Sequence, residues 1–399
     1  IANLMVGVIS VALGFLGPLL LKVTPVSALL VSLAGIGFAF LAIDRVKDSF
    51  ADPVSGLLPL FMMFALYFGN VNLGIVPKSL VIVVVGTALA WIDGVRTIDD
   101  LKDAADLVQP YGFSTGFPAF DNFSSLSDTI GTILPVAFAA ASGTLMNVIS
   151  AKKAGDSYGP VETMVSDGVG TMIAALFGTP FGTSVYIGHP AYKKMGAGVV
   201  YSIINCVVFF FFAIFGVFSV CAGLIPELAV APLLLFVGLT ITQEAFESGP
   251  VRHYPGIVFG LIPSVVDLMI NESRNDQISY GYSALQPAAI LLSMVFAAIA
   301  IYCTDRKFLA AACWSVGASV LSFIGLLHQK TGATLEEVKA VPLGGTEANT
   351  PWRYGVAWLT VAGFMMIMFA LQKVGKVEPE IEDEEVEVDE EVSAKVDAY

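Results

Sequence analysis

Long apolar runs recur through most of this sequence of 399 residues and constrain its fold more than any other feature. A helix needs about 20 mainly apolar residues to cross the hydrocarbon core of a membrane. Composition agrees, because 56% of the residues are hydrophobic and 14% are charged, against about 45–50% and 25% in soluble domains. We therefore predict an all-α polytopic membrane protein with roughly ten spans. The candidate segments, some of them half-spans or interfacial helices, lie near 1–22, 25–43, 54–74, 77–93, 129–150, 168–187, 197–220, 228–243, 254–270, 285–303, 307–328 and 355–373.

One of these apolar segments is interrupted in its middle. The apolar run 169–177 stops at Gly-Thr-Pro, residues 178–180, and a β-prone piece follows at 183–187. Gly-His-Pro at 188–190 then opens a second helical piece. Irregular backbone at membrane depth is tolerated only where protein buries it or where it lines a polar cavity. We predict a broken strand/helix span at about 179–196, with a substrate site at the break near the middle of the membrane.

The break itself supplies four candidate binding residues. Alternate side chains of an extended segment face the same side, so Ser184 and Tyr186 are expected to share one face. Pro190 suits the first position of a helix, which would direct the backbone amides of Gly188 and His189 into the break, where such amides bind anions or carbonyl oxygens. The His189 side chain has two interpretations, a ligand or proton site and a hydrogen-bonded structural residue.

Three polar residues near the break are further candidates. Asn147 shares a helix face with Ser150 and forms a small polar stripe, which either faces a cavity or hydrogen-bonds to a neighbouring helix. Asp167 follows a serine in an N-cap pattern, so it either caps a helix or orients a cavity residue. Glu244 lies at the end of an apolar segment, where it either gates or couples transport or is solvated at the interface.

Two other regions stand out by their polarity. Residues 97–108 carry apolar side chains at helical spacing with carboxylates between them, which predicts an amphipathic surface helix. The end of the chain, from Glu378 onward, holds 11 acidic residues and one lysine and accounts for most of the net charge of -14. Runs of this kind usually stay solvated, so we expect a disordered tail.

Several functional classes find no support in the sequence. It contains no phosphate-binding glycine loop, no metal-ligand cluster and no catalytic triad. Basic patches of the kind that bind nucleic acid are also absent. We therefore expect no enzymatic activity, no cofactor, no bound metal and no nucleic-acid partner.

The run SDGVGTMIAALFGTPFGTSVYIGHPAYKKMGA, followed by IPELAVAPLLLFVGLTIT, resembles the xanthine/uracil permease family, also called the nucleobase/ascorbate transporters. The resemblance covers most of residues 25–370. It is closest to a poorly characterised, mainly prokaryotic branch with YIGHP, AVAP and QAF-like signatures, of which the last two correspond to Ala229–Pro232 and Gln243–Phe246.

The resemblance implies an inverted-repeat permease fold of fourteen spans, with a core domain and a gate domain. In that fold the third and tenth spans are half strand and half helix, and substrate lies between them. Leu134–Lys153 would be the eighth span, Asp167 would open the ninth, and Thr183–Met195 would be the tenth. The first two or three family spans would then precede Ile1, so the sequence is expected to be N-terminally incomplete.

The same resemblance divides the chain into five regions. They are a partial N-terminal span region at 1–24, the first gate-domain spans and an amphipathic link at 25–127, core-domain spans with the substrate site at 128–220, the second gate-domain spans at 221–376, and the disordered acidic tail at 377–399. Characterised members bind the base with a carboxylate on the eighth span and a carboxylate or amide on the tenth. The corresponding positions here, near Ala139–Ser142 and Gly188, have no acid.

We therefore expect a secondary active transporter, a symporter of nucleobase-like (purine or pyrimidine) solutes in the plasma membrane. One alternative is a transporter of inorganic anions such as sulfate or bicarbonate with the same architecture. Another is a membrane protein that binds or scaffolds without transport. The expected partners are a small-molecule substrate, a coupled proton or sodium ion, membrane lipid and a second copy of the chain in a homodimer. The substrate-binding candidates are Asn147, Ser184, Tyr186, Gly188 and His189, and the candidates for coupling or orientation are Asp167 and Glu244.

Overall fold

A computed structural model describes residues 2–15, 24–71, 73–74, 76–110, 126–179, 182–183, 185, 188–273, 280–286, 288–328 and 351–381. The residues in these ranges form helices and connecting turns, without a strand. The helices before the long polar interval are α1 (Ala2–Gly14), α2 (Val26–Ala51), α3 (Pro53–Phe68), α4 (Lys78–Ile92) and α5 (Ile98–Asp106).

The remaining helices follow from residue 126 onward. The first group surrounds the predicted break and comprises α6 (Leu126–Lys153), α7 (Pro160–Leu176), α8 (His189–Lys194), α9 (Val200–Ile214) and α10 (Val217–Leu224). The second group comprises α11 (Glu227–Glu247), α12 (Val251–Glu272), α13 (Tyr280–Leu285), α14 (Ala289–Thr304), α15 (Phe308–Phe323) and α16 (Pro351–Lys373).

Four helices of the described chain are long and apolar enough to cross a membrane: α2, α11, α12 and the part of α16 from Arg353 to Lys373. Helices α9 and α10 would make a fifth span if they count as one, although a bend of 101° separates them. Helices α1, α3, α4, α14 and α15 are apolar but have only 10–17 residues, fewer than the about 20 that a span requires. The chain is thus a helical membrane protein, with four or five candidate spans among the residues that the structure describes.

Helix α2 lies at the centre of the largest buried cluster. It packs against α11, α12 and α14, and Leu29 and Leu33 are almost fully buried. A side chain at Gly238 of α11 would lie only 2.4 Å from the Gly37 carbonyl oxygen of α2. Because the hydrophobic effect does not drive apolar helices together in lipid, the van der Waals contact that small residues allow is a main source of their packing energy.

Ion pairs show which helix ends lie together. At one end, Lys47 near the end of α2 contacts Glu272 at the end of α12, with 2.9 Å between Nζ and Oε2. Arg45 pairs there with Glu227, the first residue of α11. The last turn of α11, around Glu247, therefore lies at the opposite end of the body.

Helix α5 confirms the predicted amphipathic helix. Thr97 caps it, because the Thr97 hydroxyl accepts from the Asp100 amide and the Asp100 carboxylate accepts from the Thr97 amide. None of its residues is buried. It contacts α10, where a side chain at Gly223 would collide with Ala104.

The first residues of the acidic tail are anchored, which corrects the prediction that the whole of 377–399 is disordered. The Ile381 amide donates to the Asp305 carbonyl oxygen, 2.9 Å away, and Glu378 pairs with Arg306. Residues 382–399 lie outside the described part of the chain. The anchoring point is the turn between α14 and α15.

That turn contains a buried ionic cluster. Asp305 Oδ1 accepts from Arg252 Nε and contacts His253 Nε2, each at 2.8 Å, and Asp305 is only 4% exposed. Burial acts to raise the pKa of Asp305, but the hydrogen bonds and charges of His253 and Arg252 outweigh it and hold the pKa below the usual 3.8. Such a lowered pKa stabilises the folded protein above the unfolded-state pKa, and the contribution is lost as pH falls through the folded-state pKa.

Replacing Asp305 with asparagine is therefore expected to destabilise the protein by about 3 kcal/mol near neutral pH, since it removes the buried carboxylate that Arg252 and His253 contact. Below pH 3.8 the wild type loses the same contribution, so the two melting temperatures should converge. Thermal unfolding in detergent at a series of pH values measures this. The matched control is Asp99→Asn, because the Asp99 carboxylate is exposed and its partner is Lys102 on the surface of the same helix. A melting-temperature difference that does not change with pH would contradict the expectation.

Candidate functional site

The break predicted near residue 180 lies between α7 and α8. Helix α7 ends at Leu176, and Gly178 adopts a left-handed conformation with φ +84° that ends such a helix without strain. The described residues 182, 183 and 185 are irregular, so they give no support to the predicted strand. Ser184 and Tyr186, two of the predicted binding residues, lie outside the described residues.

Asp167 does not cap a helix, and that prediction is wrong. Helix α7 begins seven residues earlier at Pro160, after Gly159, and Asp167 lies near its middle. The Thr144 hydroxyl of α6 donates to Asp167 Oδ2 at 2.6 Å, and the Thr183 hydroxyl lies 3.0 Å from Asp167 Oδ1. The Thr183 amide in turn donates to the Thr171 hydroxyl at 3.0 Å. Asp167 thus joins α6 to the irregular backbone after α7, and its second interpretation, that it orients a cavity residue, stays a prediction.

Removing a donor from this network tests its structural role. Thr144→Val keeps the shape of a fully buried side chain but leaves one Asp167 oxygen without its hydrogen bond. We expect a loss of about 1–3 kcal/mol, which lowers the melting temperature in detergent by several degrees. Thr360→Val serves as the control, because Thr360 is exposed and its hydroxyl donates to the Ala357 carbonyl oxygen of its own helix. Equal melting temperatures for the two variants would show that the network adds no stability.

Asn147 joins α6 to the irregular segment. Its Nδ2 donates to the Val185 carbonyl oxygen at 2.8 Å, and the residue is only 5% exposed. Its Oδ1 is buried and has no hydrogen-bond partner within the described part of the chain. Buried polar atoms are almost always paired, and an unpaired one costs about 1–3 kcal/mol. One end of this amide therefore contacts the irregular backbone, and the other end is a buried acceptor without a donor among the described residues.

Glu244 reaches the same region from α11. The Ser150 hydroxyl, one helical turn beyond Asn147, donates to Glu244 Oε2 at 2.8 Å. The other carboxylate oxygen, Oε1, is buried and unpaired among the described residues. Glu244 as a whole is half-buried, so its two interpretations, gating or coupling and solvation at the interface, both stay predictions. Helix α8 contacts both α6 and α11, so three elements meet around these side chains.

Two buried acceptors thus lack a donor among the described residues: Asn147 Oδ1 on α6 and Glu244 Oε1 on α11. Lys153 and Lys194 are near enough to act on the Glu244 carboxylate electrostatically, but neither satisfies Oε1. A group that brings N–H donors, or a proton carried by the carboxylate, would satisfy these atoms. We call Asn147, Ser150 and Glu244 the acceptor cluster.

His189 is held outside this cluster, as its structural interpretation stated. Its Nε2 lies 2.8 Å from Asp156 Oδ2 in the loop between α6 and α7, and Lys193 Nζ lies 2.9 Å from Asp156 Oδ1. Hydrogen bonds from Lys193 and then His189 lower the pKa of Asp156. Gly188 is buried directly before α8, but α8 has only six residues. A helix that short has few aligned peptide dipoles, so the predicted amide site at Gly188 and His189 gains no support.

The acceptor cluster lies nearer one end of the helical body than its middle. Asn147 precedes the end of α6 by six residues, which is about 9 Å along a helix. Glu244 lies in the last turn of α11. This position differs from the predicted site near the middle of the membrane.

Among the described residues, no group of three or more His, Cys, Asp or Glu side chains is arranged to hold a metal ion. No protein-family model, no curated protein and no solved structure matches this chain.

Proposed function

We propose that this chain is a secondary active transporter of nucleobase-like solutes, purines or pyrimidines, and that it binds them at the acceptor cluster. The observation that carries the proposal is the pair of buried, unpaired acceptors Asn147 Oδ1 and Glu244 Oε1. The edge of a nucleobase presents N–H donors beside carbonyl acceptors in one plane. Such an edge would supply the donors that both atoms lack.

The surroundings of the cluster support transport rather than simple storage. Irregular backbone in a membrane protein is expected where it lines a cavity or an ion pathway, and transporters place substrate at broken helices. Asn147 contacts that irregular backbone directly at Val185. The run from Ser166 to Ala197, which resembles the xanthine/uracil permeases, contains this break. An inverted-repeat fold with core and gate domains belongs to the same proposal.

Glu244 supplies a carboxylate that could take the place of the acids missing from the family positions. The positions that correspond to the acids of characterised permeases lack them here, but α11 brings a carboxylate to within hydrogen-bonding distance of Ser150 on α6. In the inferred architecture α11 belongs to the gate. We infer that Glu244 carries the coupled proton and that Asp167 positions the break. Ser184 and Tyr186 remain predicted contacts for the polar edge and the ring face of the base.

The inorganic-anion alternative has less support. Sulfate offers only acceptor oxygens, and bicarbonate has a single hydroxyl donor, so neither suits a cluster of two unfilled acceptors. The charge of Glu244 would also repel an anion at close range unless the carboxylate were protonated.

Uptake by cells that lack their own nucleobase transporters tests the proposal. We expect saturable uptake of radiolabelled xanthine or uracil by cells that express the chain, with competition by unlabelled bases and none by sulfate. Saturable uptake of sulfate or bicarbonate instead would favour the anion alternative. Saturable uptake of none of these solutes, with the chain shown to be in the membrane, would favour a protein that binds without transport.

A further inference from the structure

A cavity of about 380 Å³ lies at the end of the helical body that carries the last turn of α11. It is bounded by the end of α3, the start of α4, the end of α8 and the second half of α11. Gln243 lines it, whereas Glu244 and Glu247 do not. Ligand pockets for small molecules typically measure about 300–1,000 Å³. The cavity is therefore a candidate site of its own, separate from the acceptor cluster.

The lining of this cavity is positively charged. Lys78 and Lys194 both contribute to it, and none of its described lining residues is acidic. Lys78 Nζ lies 3.3 Å from Asn70 Oδ1 and 5.8 Å from the centre of the Tyr67 ring. The start of α4, a helix of 15 residues, adds to the charge, because Pro77 precedes it and has no side chain that could accept from its first amides. An anionic group in the cavity would meet two ammonium groups and a helix N-terminus.

A buried hydroxyl in the same cavity lacks a partner. Thr240 of α11 lines the cavity and is only 1% exposed, and its hydroxyl has no hydrogen-bond partner among the described residues. The Thr242 hydroxyl of the same helix, in contrast, donates to the Gly238 carbonyl oxygen at 2.8 Å, as threonine commonly does in a helix. Because buried polar atoms are almost always paired, the Thr240 hydroxyl indicates a ligand that accepts a hydrogen bond from it.

Exposed aromatic rings lead away from the cavity along α3. Phe68 lines the cavity, and its ring centre lies 5.6 Å from that of Phe64, which in turn lies 6.4 Å from that of Phe61. All three side chains are exposed, and we call them the aromatic stripe. Phe61 precedes Phe68 by seven residues, about 10 Å along a helix. The stripe therefore runs from the cavity toward the middle of the membrane, in the direction that an acyl chain takes.

The same end of the body carries further lysines. Lys152 and Lys153 end α6, and the contact of Ser150 with Glu244 places that end of α6 beside the last turn of α11. Lysines close to a membrane surface attract anionic phospholipids. The charge around the cavity therefore matches the head group of such a lipid.

We propose that the cavity binds the phosphate head group of an anionic phospholipid, whose acyl chain lies along the aromatic stripe. Lys78 and Lys194 bind the phosphate oxygens, and the Thr240 hydroxyl donates to one of them. Free phosphate presents the same oxygens, but only a lipid also covers the exposed rings. The lipid is a bound partner and not a transported solute, and its phosphate contacts the lysines rather than Glu244, which does not line the cavity.

Lysine acetylation of the purified full chain in detergent micelles tests the site without any need for transport. The probes are phosphatidylglycerol as the anionic phospholipid, phosphatidylcholine as the zwitterionic one and inorganic phosphate as the free anion. We expect phosphatidylglycerol to slow the acetylation of Lys78 and Lys194 at least several-fold by mass spectrometry. Lys152 lies at the same end but does not line the cavity, so its acetylation should change little.

Each other outcome of the acetylation experiment overturns part of the proposal. Equal protection by inorganic phosphate would assign a free-anion site instead of a lipid site. Equal protection by phosphatidylcholine would show that the negative charge of the lipid is not recognised. Equal slowing at Lys152 would show general attraction to a basic surface and no defined site.

Binding measurements on variants test the individual contacts, with native mass spectrometry to count the lipids that each variant retains. Lys78→Gln and Lys194→Gln should each weaken phosphatidylglycerol binding about 10-fold, because each removes one charge-assisted contact. Lys78→Arg should retain most of the affinity. Thr240→Val should also weaken binding, whereas Thr242→Val, the matched control, should equal the wild type because that hydroxyl is already bonded within α11. Affinity unchanged in both glutamine variants would overturn the site.

A substitution in the aromatic stripe tests the position of the acyl chain. Phe64→Ser should weaken phosphatidylglycerol binding several-fold, and Phe209→Ser on α9 is the control, because Phe209 is an exposed ring away from the cavity. Equal lipid binding by these two variants would exclude the stripe from the site. Asn147→Ala should bind the lipid like the wild type, since Asn147 does not line the cavity. The lipid site is therefore tested independently of the proposed transport.

Discussion

Asn147→Ala is expected to lower the initial rate of nucleobase uptake about 100-fold at low substrate concentration. The substitution removes the hydrogen bond that holds the Val185 carbonyl oxygen, and it also removes the Oδ1 acceptor that we assign to the base. Two hydrogen bonds of about 1.5 kcal/mol each would account for a loss of this size. The measurement is the uptake of radiolabelled base over the first seconds, corrected for the amount of protein in the membrane.

Two further variants separate the roles of this side chain. Asn147→Asp keeps an acceptor for the base but loses the donor to Val185, so uptake should again fall if positioning of the break is needed. Asn271→Ala is the matched control, because Asn271 is an exposed amide near the end of α12 that bonds to neighbouring side chains. Wild-type uptake by Asn147→Ala would remove the acceptor cluster from the mechanism.

The sequence predicts the class of fold because the apolar runs leave a helical membrane protein as the only reasonable outcome. It also predicts α5, since Thr97 and Asp100 contain the information for the cap and the helix is held by local interactions. The stripe that contains Asn147 and Ser150 is visible for the same reason, because positions three apart share a helix face. These predictions depend only on interactions between residues that are close in sequence.

The number and length of the spans are less predictable. Helix α3 begins at Pro53, contains Pro59 and ends before Gly69, so it stops short of the apolar run from which it was predicted. Hydrophobicity alone does not mark such ends, because an apolar residue in a loop buried by protein looks the same as one in a span. The start of α7, in contrast, was predicted too late, at Asp167, because only the apolar part of the helix was recognised. The polar first turns from Pro160 onward are helical although they are not apolar.

The partners of the site residues could not be predicted, because they are distant in sequence. Ser150 and Glu244 are 94 residues apart, and their contact depends on how α6 and α11 pack. The interpretation of Glu244 as solvated assumed that the end of a helix faces water. In the structure α8 packs against α11 and the Ser150 hydroxyl of α6 contacts Glu244. One oxygen of this half-buried side chain is therefore buried and unpaired among the described residues.

That unpaired oxygen makes Glu244 the best candidate for the coupled proton. The carboxylate touches α6 through Ser150, while its own helix α11 packs on α2, α3 and α4. A residue that bridges these groups of helices can change its surroundings when one group moves against the other, which is what alternating access requires. A proton taken up by Glu244 Oε1 would neutralise a charge that is otherwise costly to bury.

Glu244→Gln should therefore abolish proton-driven accumulation while it preserves exchange. The amide oxygen of glutamine can still accept from Ser150 and the amide nitrogen adds a permanent donor, so the site keeps its shape but no longer exchanges a proton. In proteoliposomes with an acidic exterior, the wild type should accumulate base at least several-fold above equilibrium, whereas the variant should only equilibrate. Its exchange of external label for internal base should stay within about threefold of the wild type, a change of less than 1 kcal/mol. Glu247→Gln is the control, because Glu247 is exposed and accepts from Gln243. Accumulation by Glu244→Gln equal to that of the wild type would assign coupling to another group.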